Sequence, residues 1–382
     1  MNGKMFCIKN IFLIKSIFLP LIFLLTTNII YGQNSSSLKE VFKNKFLIGA
    51  ALNVSQSSGK DELGDAIVIR EFNTISPENI MKWGSIHPKP ESYSFTEADK
   101  YVEFGEKNNM FIIGHTLVWH AQTPRWVFED KDGKPETREG LLKKMKEHIQ
   151  TVVGRYKGRV KGWDVVNEAL ADDGTLRKSQ WLTIIGDDFI EKAFEYAHEA
   201  DPDAELYYND YSIENEAKLN GVIKIVKDLQ SKGIKISAVG IQGHYLLNDP
   251  SPSKIENCIQ KISSTGIPVQ FTELDVNVLP TPFDNLGADV TKKADYQEKY
   301  NPYVSGMPDS SQQKLSKYYQ DIFSVFVKQA KNIKRVTFWN VTDKESWLNN
   351  WPIRGRTNYP LLFDRQGNKK PAYDAVIRTA KQ

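Results

Sequence analysis

The chain has 382 residues, 40% of them hydrophobic and 25% charged, which is ample for a large buried core and leaves no room for a disordered reading. Its formal charge of +3 arises wholly in the first 32 residues, which hold three lysines and no acids, so the remainder is formally neutral. That balance gives no support to a nucleic-acid partner.

Residues 1–32 read as a cleaved secretory signal peptide: Lys4, Lys9 and Lys15 precede an apolar run from Ile17 to Ile30, and small Gly32 follows. Pro20, Thr26, Thr27 and Asn28 interrupt the run, so it falls short of a spanning helix, and no stable membrane insertion is expected once it is removed. The expected destination is secreted or periplasmic. Cys7 would leave with this segment. Cys258 then stands alone on a predicted helix, where a small buried hydrophobe is expected and no internal disulfide can form.

From residue 46 onward, short β-branched runs alternate with helical periodicity. Strands are predicted at 46–52, 74–76, 111–117, 162–166, 205–208, 238–242, 269–272 and 336–339. Between them, Leu141, Leu142, Met145, Ile149, Val152, Val153 and Tyr156 recur at helical spacing over 139–156. A second such stripe runs from Leu315 to Val327. Gly233, Gly266 and Pro268 close helices ahead of strands, and Pro371 opens the last helix. Eight βα units with no glycine-rich phosphate loop after the first strand predict an α/β fold, a single (β/α)8 TIM barrel over 33–382. The stretch at about 277–310, rich in Pro, Asp and Asn, exceeds an ordinary connection and reads as an insertion on the active face.

Two predicted strands end in glutamates, WDVVNEA with Glu168 and FTELDV with Glu273. In one parallel barrel both carboxylates would emerge at the same end. A glutamate in a chain with 47 acids is ordinarily a solvated surface charge, so the argument rests on company. Paired carboxyls with aromatics, amides and histidines at other strand ends suit glycoside hydrolysis, in which one carboxyl protonates the leaving oxygen and the other attacks the sugar.

The segments PENIMKW, GHTLVWH, WDVVNEA, IQGHY, FTELDV and FWNVTDKESW resemble, in order and spacing, the strand-end motifs of glycoside hydrolase family 10, the endo-β-1,4-xylanases. The resemblance implies a TIM barrel that cleaves internal bonds of xylan with retention, acting as a monomer without cofactor or metal. It also implies that Glu168 is the acid/base, Glu273 the nucleophile and Asn167 a partner of the sugar 2-hydroxyl. His244 and Asp275 would support the nucleophile, whose charge should raise the pKa of Glu168. Glu78, Asn79, Lys82, His115, Trp119, Gln242, His244, Trp339 and Trp347 would bind the sugar, polar groups meeting hydroxyls and indoles covering C–H faces.

Without the resemblance, Glu78 and Lys82 could be a surface i,i+4 pair, Asp275 a helix cap and His244 a satisfied core histidine. The sequence departs from the family pattern at Ile80 and Gly84, where acidic residues are common. His87, His115 and His120 lack zinc spacing, and no nucleophile elbow or P-loop is present. Asn34, Asn53 and Asn340 sit in glycosylation triplets, a cheap match. Three rivals remain: another β-1,4-glycanase on the same barrel, acting on glucan or a mixed-linkage polymer; a barrel that binds polysaccharide without cleaving it; and a membrane-tethered variant of the same enzyme.

Overall fold

In a computed structural model, the described residues are 36–283 and 287–381. The expected leader lies outside them. Eight parallel strands close on themselves: β1 (Leu47–Leu52), β2 (Thr74–Pro77), β3 (Phe111–Trp119), β4 (Gly162–Asn167), β5 (Glu205–Asp210), β6 (Ala238–Ile241), β7 (Val269–Asn277) and β8 (Ile333–Phe338). Each pairs with its neighbour, β6 with β7 and β8 with β1, so the sheet has no open edge and the fold is a TIM barrel.

Helices fill the crossovers. Arg138–Arg155 and Asp309–Lys328 are the two predicted from periodicity, and their stripes are buried from Leu141 to Val153 and from Leu315 to Phe326. Thr137 starts the first by accepting the Gly140 N–H, the usual way to satisfy an orphan donor at a helix start. Gly233 (φ 69°) and Gly266 (φ 91°) follow the helices Glu216–Ser231 and Pro252–Ser263 in the left-handed region, where glycine has no steric penalty. Cys258 is fully buried on the second of these.

Most strand bounds shift from the sequence expectation by only one or two residues, and the two larger shifts have identifiable reasons. β7 runs on to Asn277 because a short strand, His244–Leu246, pairs with its far end, His244 opposite Asp275. β8 begins at Ile333, three residues early, because Lys334 and Arg335 hide its start. Arg335 is only 1% exposed, its guanidinium bonded to Gln270, Ser76 and Thr337 inside the barrel. A charge in that position carries no hydropathy signal of a strand.

Two motifs interlock directly. A Cβ on Gly114 would lie 2.1 Å from the Trp163 ring, so the absence of a side chain in β3 makes room for the fully buried indole of β4. Asn53 caps the short helix Val54–Ser57 through its side-chain oxygen, and Asn340 is completely buried, so the second of these triplets is closed to a glycan in the folded chain. Asn34 lies outside the described residues. No described helix is long and apolar enough to cross a membrane.

Candidate active site

At the carboxyl ends of the strands lies a cavity of about 210 Å³ whose lining brings together Glu78, Asn79, Lys82, His115, Trp119, Asn167, Glu168, Gln242, His244, Glu273, Trp339 and Trp347. Asp275 stands behind His244 and does not reach the cavity lining. Gln122, Ala288 and Val290 complete the wall, three residues that no motif pointed to.

The backbone aims the carboxylates. Pairing shifts register between Asp164 and Val166 of β4, and again between Phe271 and Leu274 of β7, directly beside the two glutamates. Such irregularities re-aim side chains at barrel rims. Glu168 itself adopts φ 57°, a left-handed conformation costing a non-glycine residue about 1–3 kcal/mol, held by its N–H donating to Asn209 at 2.9 Å.

Glu168 is 4% exposed and accepts bonds from Trp119 Nε1 (2.8 Å) and Gln242 Nε2 (2.9 Å). Its pKa is raised to about 7, first by burial, then by the charge of Asp210. The two bonds work against this, and Glu273 adds the smallest contribution. Glu273 thus lifts Glu168 as expected, but burial and Asp210 contribute more. Asp210 is fully buried at the end of β5, paired with Lys218 at 2.8 Å.

Burial also pushes Glu273 up, but a hydrogen bond from His244 and the charges of His115, His244 and Lys82 hold it below its ordinary value. His244 Nε2 is 3.2 Å from Glu273 Oε2 and its Nδ1 is 3.0 Å from Asp275 Oδ1. Trp347 Nε1 in turn donates to the other oxygen of Asp275 at 2.7 Å. Burial alone would lower the His244 pKa, but Asp275 and then Glu273 raise it to about 10, so the ring is a fixed cation that donates at both nitrogens. Asn209 donates to Glu273 Oε1 at 2.8 Å and to Asn167 Oδ1 at 2.9 Å, joining the three strand ends.

On the opposite wall Lys82 is 7% exposed, bonds Asn79 at 3.0 Å and lies 4.9 Å above the Trp119 ring. Lys82 is therefore a buried part of the cavity wall and not half of a surface pair. Its pKa is lowered by burial, against the pull of Glu273, Glu78 and Glu168. Burial likewise raises Glu78, partly offset by Lys82. His115 bonds Asp164 at 2.9 Å and meets Trp339 edge-on at 5.6 Å. Trp347 stacks on Trp351 at 4.3 Å.

Both departures from the expected pattern have physical accounts. Ile80 is buried in the core. Gly84 donates its N–H to Gln122 O at 2.9 Å, and a Cβ there would sit 2.9 Å from that oxygen, so an acidic side chain would displace Gln122 from the cavity wall.

The whole frame is shared with known proteins: residues 37–379 match the family model of Glycosyl hydrolase family 10. The chain belongs to glycosyl hydrolase family 10. Within it, the protein is 47% identical over 347 residues to endo-1,4-beta-xylanase A of Xylanibacter ruminicola, covering 91% of this chain and 94% of that one. It is 41% identical over 349 residues to a beta-1,4-xylanase of Dictyoglomus thermophilum, covering 91% and 92%. Among solved structures, a family 10 endoxylanase retrieved from a sugarcane soil metagenome superposes with a TM-score of 0.87 at 44% identity, over 90% of this chain and 99% of that one. As a family 10 member the protein is a glycoside hydrolase.

Proposed function

We propose that this family 10 hydrolase is an endo-1,4-β-xylanase that cleaves xylan with retention, Glu168 serving as acid/base and Glu273 as nucleophile. The observation that carries the assignment is the opposite displacement of two carboxyls in one cavity, Glu168 raised to about 7 and Glu273 lowered. A protonated carboxyl beside an ionised one is what the first half of double displacement requires. The names of the similar enzymes support xylan as the polymer.

In the first step Glu273 attacks the anomeric carbon while Glu168 gives its proton to the leaving oxygen. The imidazolium of His244 and the amide of Asn209 hold the attacking carboxylate in line. Asn167 is placed to meet the 2-hydroxyl, where a hydrogen bond strengthens as positive charge develops on the ring. In the second step Glu168, now ionised, takes a proton from water, which attacks the ester and releases the sugar with its original configuration. Lys82, Glu78 and Asn79 bind hydroxyls of the ring that stays behind, and Trp339 and Trp347 cover its C–H faces. Export by the amino-terminal segment and action as a monomer belong to the same reading.

Proton NMR of freshly cleaved xylohexaose tests it. The β anomer should appear first and mutarotate slowly. Initial release of the α anomer overturns retention, and cleavage of carboxymethylcellulose but not xylan overturns the substrate.

A further inference from the structure

The segment Gly287–Val290 crosses a part of the cavity that the mechanism above does not use. Glu78, Asn79 and Lys82 follow β2, and Trp339 and Trp347 follow β8, so the binding wall already described occupies one side of the barrel mouth. Glu168 ends β4 on the other side, and the proton it delivers marks where the departing sugar lies. Gly287–Val290 sits there. A Cβ on Gly287, whose φ is 54°, would come within 3.0 Å of the Tyr211 ring just after β5.

Tyr211 is itself tied to the acid: Arg177 donates to its hydroxyl at 2.8 Å and to the backbone oxygen of Glu168 at 3.0 Å. Burial pushes the Asp289 carboxyl up, but bonds from Thr291 and the nearby Arg177 charge hold it below its usual value, which places it on the same flank. Past it, the Ala294 N–H donates to Pro352 O at 3.0 Å, anchoring the chain to the loop after β8.

Ala288 and Val290 line the cavity that holds both carboxylates, whereas Gly287 lines a second cavity of about 140 Å³ with Glu214, Asn215 and Lys254, and His244 borders both. The segment is thus a partition. Ala288 is buried at 3% exposure, and Val290 is half-buried with its side chain available to a ligand.

We infer that Ala288 and Val290 form the wall against which the departing sugar ring packs, and that Val290 is a specificity-determining residue for the leaving-group side of the cleft. The inference rests on the xylanase reading for its substrate. Neither side chain can hydrogen-bond, so recognition there is by shape: a bare ring presents its C–H face, and added bulk meets the partition.

Two variants and two substrates test it. In hydrolysis of a dinitrophenyl β-xylobioside, kcat reports the second step, after the leaving group has gone. Val290→Trp should lower kcat/KM for xylohexaose about tenfold more than it lowers that kcat, the scale of a misfit of one or two methylenes. Val290→Ala, a truncation at a half-buried loop position, should shift the ratio of cleavage positions in reducing-end-labelled xylohexaose at least about twofold, a small change in one subsite's share of binding energy. Parallel losses in the Trp variant, or an Ala variant with the parent's product ratio, would overturn the wall. If the parent cleaves cellohexaose and not xylohexaose, the xylan reading falls, and the same two ratios on cellohexaose still decide the role of Val290.

Discussion

The side-chain amide of Asn209 lies 2.8 Å from Oε1 of Glu273, so the end of β5 holds the candidate nucleophile of β7. The same amide group donates to Asn167, while its oxygen accepts from Thr272 at 2.7 Å, which fixes its orientation. Asn209→Ala removes the donor from a carboxylate that is 5% exposed. A charged bond of this kind is worth about 1.5–3 kcal/mol, so kcat/KM for xylo-oligosaccharides should fall roughly 10- to 100-fold. Unchanged kinetics in a folded variant would show that His244 alone positions Glu273.

Asp210 is the largest charge acting on Glu168, ahead of Glu273. In the proposed mechanism Glu168 is protonated for the first step, so kcat/KM should fall on the alkaline side as it ionises near 7. Asp210→Asn removes a negative charge and leaves the Lys218 cation facing an amide, and both effects favour ionised Glu168. The alkaline limb should move to lower pH. A limb that stays in place would mean that burial alone sets the value.

His244 acts on the other limb. As the proposed nucleophile Glu273 has to be ionised, and the imidazolium is the strongest influence holding it below its ordinary value against burial. In His244→Asn the charge is lost and burial prevails, so the acid limb of kcat/KM should rise in pH. Trp347→Phe, which removes the donor to Asp275 two bonds away, should move it less.

Keeping Glu168 poised for proton transfer costs stability. Its folded value of about 7 exceeds the ordinary 4.5, so between those pH values the native state keeps a proton that the unfolded chain has lost, and stability falls as pH rises through that window. The loss approaches about 3 kcal/mol above pH 7. Glu168→Gln has no proton to lose. Its amide faces a donor from Gln242 or Trp119, a penalty that does not vary with pH. The Tm of the variant relative to the parent should therefore be higher at pH 8 than at pH 4, and a difference that is flat with pH would contradict the assignment of a buried, neutral carboxyl.

Much of this was legible in the chain itself. Short β-branched runs marked the eight strands and a 3.6-residue period marked the longest helices, because strands buried on both faces read as apolar runs and helices packed on a sheet bury one stripe; the motifs placed Glu168 just past its strand, whereas Glu273 lies within the longer strand Val269–Asn277. What tertiary structure alone decided is how those strands meet. Asn209 and Asp210 end an unremarkable strand, Glu205–Asp210, and become influential only because the barrel sets them beside Glu168 and Glu273. The register shifts beside Glu168 and Glu273 depend on pairing between distant strands, and local sequence does not encode pairing. Electrostatic balance is likewise a property of the assembled site: the same glutamate side chain is lifted at Glu168 and lowered at Glu273 because burial, amide donors and the cations Lys82 and His244 are distributed unequally between them in space.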